Sequence, residues 1–163
     1  MRKIFTAITS DVISRKVLLD LLAIVPFLII VSIARSDFGR DLFWLWLGGI
    51  FGIELLPIAE KIFQPDLTPA RPIFRTFFFQ GILIILSFYV LSSSRSLFGI
   101  GMVMTMSLKI LKDQLREFSK TGMLSEGWFL FLRKEAFSYN TTRNYLIFLA
   151  FLFLILTLFL LRS

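Results

Sequence analysis

The sequence predicts an all-α membrane protein, a polytopic transmembrane helical bundle of about five spans with its N-terminus in the cytoplasm. Three observations predict it. Of 163 residues, 56% are hydrophobic and twenty are Phe, and mean hydropathy is +0.80, more apolar surface than a soluble domain of this size needs. Several apolar stretches approach the ~20 residues that cross a hydrocarbon core. Lys and Arg are concentrated in alternate connections, as cytoplasmic loops are. Residues 1–163 therefore read as a single integral membrane domain. The net charge of +7 reads as loops facing anionic lipid, not as a nucleic-acid footprint.

Residues 1–16 carry Arg2, Lys3, Arg15 and Lys16 around Ile4, Phe5, Ile8, Val12 and Ile13. This pattern suits a cytoplasmic amphipathic leader on the membrane surface; a solvated leader is the alternative. The first span is 17–34, with Asp20 near its entrance and Pro26 placed to kink it. Ser32, Ile33 and Ala34 loosely resemble a signal-peptidase site, but the apolar run is long for a signal and reads as an uncleaved anchor.

The second span is 42–59. Trp44 and Trp46 sit near its outer end as interface anchors. Gly48 and Gly52 form a small-residue pair that lets another helix approach. Pro65, Pro69 and Pro72 make the following segment a loop. The third span is 73–91, and a polar turn at 92–96 leads to the fourth, 97–111. That helix continues as a charged extension to about Lys120, and Thr121 with Gly122 is a stop signal. Residues 123–143 hold an aromatic interfacial segment around Trp128. The last span is 145–161, with Thr142 or Asn144 as its cap.

Fourteen of the eighteen Lys and Arg residues fall in the N-terminal segment, the second-to-third loop and the fourth-to-fifth connection. This asymmetry predicts a cytoplasmic N-terminus and an external C-terminus in the inner (plasma) membrane.

The chain has no His and no Cys. Disulfides, thiolate nucleophiles, zinc–thiolate sites and imidazole bases are excluded. No cofactor, catalytic residue or metal ligand is expected. The polar groups that stand out lie in and after residues 47–63. Glu54 falls within the apolar run, where an ionisable group is a functional-site candidate, or a packing ion pair with a neighbouring helix. Glu60 and Lys61 close the same run just after Pro57. Arg71 and Arg75 enter the third span, and Lys109 and Asp113 leave the fourth at i, i+4 spacing, which puts them on one helix face. The topology brings Glu60, Lys61, Arg71, Arg75, Lys109 and Asp113 to one membrane level.

The segments Leu56-Pro57-Ile58-Ala59-Glu60-Lys61, Ala70-Arg71-Pro72-Ile73-Phe74-Arg75-Thr76 and Lys109-Ile110-Leu111-Lys112-Asp113 resemble, in order and spacing, three motifs of the membrane-bound metal-dependent hydrolases. That family is also described as LexA-binding and inner-membrane-associated. Its motifs are Leu-Pro-Asp-x-Asp-His, His-Arg-Gly-x-Thr-His-Ser and His-x-x-x-Asp. Pro57, Arg71 and Asp113 are kept, Glu60 stands for an aspartate, and Thr76 for a serine. Every ligand histidine is replaced, three of them by Lys61, Arg75 and Lys109.

The resemblance implies a helical membrane hydrolase fold over about residues 42–120, and a divalent-metal site that these cations would repel. The expectation is a catalytically inactive relative. In it, a salt-bridge cluster of Glu54, Glu60, Lys61, Arg71, Arg75, Lys109 and Asp113 stands in place of the metal site. The alternatives are a cytoplasmic-face site for an anion or phospholipid headgroup and a residual membrane hydrolase. Membrane lipids, and a protein partner or a second copy of the chain, are the expected partners.

Overall fold

Helices account for nearly every residue whose structure is described. The computed structural model describes residues 15–35, 40–63, 76–93, 96–124 and 138–162. They form α1 (Arg15–Arg35), α2 (Arg40–Phe63), α3 (Phe77–Ser93), α4 (Leu97–Thr121) and α5 (Tyr139–Arg162), with no strand among the described residues. Each helix overlies one expected span. The leader 1–14, the loop 64–75 and residues 125–137 of the expected interfacial segment lie outside the described residues. Two helical stretches, Leu42–Glu60 and Tyr139–Leu161, are long and apolar enough to cross a membrane. Ile24–Ile33 and Phe77–Ser93 are shorter apolar stretches.

The helix ends follow from local chemistry. Thr76 caps α3: its hydroxyl accepts the Phe79 N–H at 3.4 Å and its carbonyl the Gln80 N–H at 3.0 Å. The Ser96 hydroxyl accepts the Gly99 N–H at 3.3 Å and starts α4. Gly122 ends α4 with φ 72°, its N–H donating to the Phe118 carbonyl at 2.8 Å. Only a residue without a Cβ takes that left-handed conformation cheaply. The α5 cap differs from expectation. Ser138 provides it, its hydroxyl accepting the Thr141 N–H at 3.4 Å and its carbonyl the Thr142 N–H at 2.9 Å. Thr142 and Asn144 are already inside the helix, because residues 139–144 are polar yet continue the turn.

Contacts between helices set their directions. The Trp46 indole N–H donates to the Ser32 hydroxyl at 3.1 Å, and Gly49 sits beside Leu28, so α1 and α2 are antiparallel. Trp46 is therefore turned into the bundle, half-buried, whereas Trp44 is exposed. Val90 lies against Gly99, which makes α3 and α4 an antiparallel hairpin. Phe118 stacks on Tyr139 at 5.1 Å, and Gln114 reaches Tyr145, so α5 runs antiparallel to α4. The result is an up-and-down bundle with α4 touching all four other helices.

The closest packing is between α2 and α4, which run parallel. Gly48 lies against the Phe98 backbone, Gly52 against the Met102 backbone and Thr105, and Gly101 against the Leu45 carbonyl and the Gly49 nitrogen. A Cβ at any of these glycines would collide with backbone of the other helix. The Gly48–Gly52 pair does receive a neighbouring helix, and Gly101 answers it from the other side.

Apolar residues line both the interior and much of the exterior, unlike a soluble bundle. Buried among the apolar core residues are Ser32, Thr76, Gln80, Ser87, Thr105, Lys109, Gln114 and Thr142. Exposed large apolar residues cover the outer faces of α1, α2, α3 and α5, among them Ile33, Phe51, Phe78, Ile85, Phe148 and Phe151. Hydrogen bonds to the preceding turn satisfy several of the inward hydroxyls: Ser32 to the Leu28 carbonyl and Ser87 to that of Leu83, both at 2.7 Å.

The glycine seam generates a direct expectation. Gly101→Ala should lower thermal stability in detergent by an amount typical of overpacking, about 1–3 kcal/mol. Gly81→Ala, which meets open space, should be neutral or stabilising by roughly 0.5–1 kcal/mol from helix propensity. Equal melting temperatures for the two variants would contradict the seam.

Candidate functional site

Pro57 lies inside α2. Proline has no N–H, so the carbonyl four residues earlier, that of Ile53, loses its helical partner. An unsatisfied carbonyl in an apolar bundle costs about 1–3 kcal/mol. The missing donor comes from another helix: the Lys109 ammonium donates to the Ile53 carbonyl at 2.9 Å. Lys109 is 4% exposed, so this is a buried charge-assisted bond. One turn earlier, the Thr105 hydroxyl lies 2.9 Å from the carbonyls of both Gly49 and Gly101. Gly101, Thr105 and Lys109 thus form one stripe of α4, spaced by four residues and turned toward α2.

Of the expected cluster, Glu60, Lys109 and Asp113 lie on described parts of α2 and α4. Because α2 and α4 are parallel, Glu60 and Asp113 both lie toward the same, charged end of the two helices. Both are half-buried. Lys61 lies in the last turn of α2, with its side chain outside the described residues. Arg71 and Arg75 lie outside them altogether, and with them the expected Glu60–Arg75 pair. Glu54 is not brought to the cluster. Ile53 faces α4 and is buried, and Glu54, the next residue, is rotated about 100° away. Its neighbours one turn before and after, Ile50, Phe51 and Ile58, are all exposed. Among the described residues no three acidic side chains converge as metal ligands.

A second polar group was not singled out in the sequence. The Tyr145 hydroxyl donates to the Gln80 side-chain carbonyl at 2.7 Å, and the Gln114 amide donates to the Tyr145 oxygen at 3.5 Å. This chain ties α3, α4 and α5 together at the end that also carries Glu60 and Asp113. Gln114 Oε1 and Thr142 Oγ1, both fully buried, have no partner among the described residues. Gln80 also lines a cavity of about 30 Å³ with Ser107 and apolar residues of α3, α4 and α5, room for about one water. The available signal was Gln80 itself, the one amide in an otherwise apolar α3, since polar side chains inside spans face other helices.

The described arrangement holds helices together. Its inward polar side chains are amides, hydroxyls and one ammonium, and the ammonium binds a backbone carbonyl. No protein-family model, curated protein or solved structure matches this chain.

The link between Pro57 and Lys109 is open to a double-mutant cycle. Pro57→Ala restores an N–H for the Ile53 carbonyl, so the ammonium is no longer required there. Lys109→Met should destabilise the otherwise native chain, and should cost about 1 kcal/mol less in the Pro57→Ala background. Additive effects in a denaturation series would show that the two residues are independent.

Proposed function

We propose that this chain is a multi-pass protein of the inner membrane, a non-catalytic relative of the membrane-bound metal-dependent hydrolases that acts as a scaffold or partner subunit. Its polar residues bind helices to one another where those enzymes bind metal. The membrane placement is supported by the apolar exterior: large aliphatic and aromatic residues are exposed on the outer faces of four helices, around an apolar core that also holds amides, hydroxyls and an ammonium. An apolar exterior of that extent is stable only against lipid or another protein.

The observation that carries the functional reading is the bond from Lys109 to the Ile53 carbonyl. Lys109 stands where the resembled motif has a histidine ligand. A buried cation committed to a backbone carbonyl replaces a metal ligand with a helix tie and opposes a dication in the same space. The alternative of an anion pocket that includes Lys109 is weakened by the same bond, because the ammonium is buried and already occupied.

Two measurements test this. Protein purified without chelators should contain far less than one equivalent of zinc, manganese or iron per chain by elemental analysis; a tightly held equivalent would return the site to metal chemistry. Cysteines introduced singly into residues 64–70 should be protected from impermeant thiol reagents in intact cells, whereas a cysteine at position 37 should react. The reverse pattern would invert the topology and remove the cytoplasmic level on which the motif comparison depends.

A further inference from the structure

Glu54 is the residue that the bundle does not explain. It lies within the apolar stretch Leu42–Glu60, six residues from Glu60, which is about 9 Å along the helix axis. The outward stripe of α2 runs through Leu47, Ile50, Phe51, Ile58 and Ile62, all exposed, and Glu54 occupies its centre. The residue is half-buried, and among the described residues it has no hydrogen bond or ion pair. The other charged residue at this depth, Lys109, faces inward to Ile53. Carboxyl groups within spans are costly in lipid and almost always meet a partner or a water-filled cavity. No described residue of the chain supplies that partner.

A second copy is a poor fit. At the depth of Glu54, no described outer face carries a Lys or Arg; the exposed residues there are apolar. Two copies meeting through this stripe would set one Glu54 against another. The group that complements a carboxyl in an apolar stripe is a guanidinium or ammonium, which brings several donors to two acceptor oxygens.

We infer that the Leu47–Ile62 face of α2 is the docking surface for a transmembrane helix of another polypeptide, one bearing an Arg or Lys at the depth of Glu54. The apolar stripe supplies contact area, and Glu54 supplies orientation and selectivity. Side-chain hydrogen bonds across spans are modest in strength but depend on depth, so the basic residue of the partner must lie level with Glu54. This inference rests on the membrane reading above.

The test uses the full chain reconstituted in phosphatidylcholine–phosphatidylglycerol vesicles, with synthetic Leu-Ala helices of about 20 residues that carry Arg, Leu or Glu at the matching depth. Energy transfer between labelled chain and peptide reads association. The Arg helix should associate with the unmodified chain and lose at least about tenfold in affinity with Glu54→Leu. That substitution continues the apolar stripe and should leave the bundle folded. The Leu and Glu helices should show no dependence on position 54.

Equal binding of the Arg helix to both forms, or no binding by a chain that stays in carbonate-washed vesicles, would overturn the inference alone. So would self-association of the chain that is lost with Glu54→Leu. Release of the chain by carbonate would instead overturn the membrane reading, and this inference with it.

Discussion

Helices α2 and α4 meet at backbone distance, and the rest of the bundle is arranged around that contact. Gly48, Gly52 and Gly101 leave no side chain at the crossing, so the carbonyls of one helix come within reach of short side chains on the other. Thr105 can lie against the Gly49 carbonyl only because Gly52 leaves room for it. In an apolar surrounding the hydrophobic effect does not drive helices together, so close van der Waals contact and interhelical hydrogen bonds must do so. The seam provides both, and it places α4 where α1, α3 and α5 can pack on its remaining faces.

Pro57 and Lys109 form a complementary pair across this seam. A proline inside a helix exposes a carbonyl, and in a dry bundle another helix must supply the donor. An ammonium on a long flexible stem reaches it where a backbone N–H cannot. The ammonium is in turn held in a buried position by a strong acceptor, which offsets part of its desolvation. Each residue taken alone would be unfavourable. Together they tie α2 to α4 one turn below the glycines.

The two faces of α2 have opposite character. Ile53 and the glycines face α4, and Glu54 with its apolar neighbours faces away. A single-residue step on a helix turns the side chain by about 100°, so one helix can hold an internal tie and an external docking face with no interference between them. α5 adds a long apolar exterior, and its inward Tyr145 joins α3 and α4. Among the described residues, polar side chains join α1 to α2, α2 to α4, and α3, α4 and α5 to one another.

Much of the architecture was legible in the chain itself. Apolar runs of span length, Gly122 after a charged stretch and the Gly48–Gly52 spacing each express local geometry or transfer energetics, so they predict helix positions and one close contact. The partners of the polar residues were not legible. Lys109 and Asp113 share a helix face by spacing, but the bond from the Lys109 ammonium to the Ile53 carbonyl carries no mark in the sequence except the proline four residues after that carbonyl. Gln80, Gln114 and Tyr145 are separated by dozens of residues and no periodicity connects them. The approximate limits and apolar character of the five described helices could be read from the chain, because they depend on neighbouring residues. Only the tertiary structure decided which helices touch, which carbonyl Lys109 satisfies and that Glu54 faces outward, because these depend on the rotation of each helix about its axis.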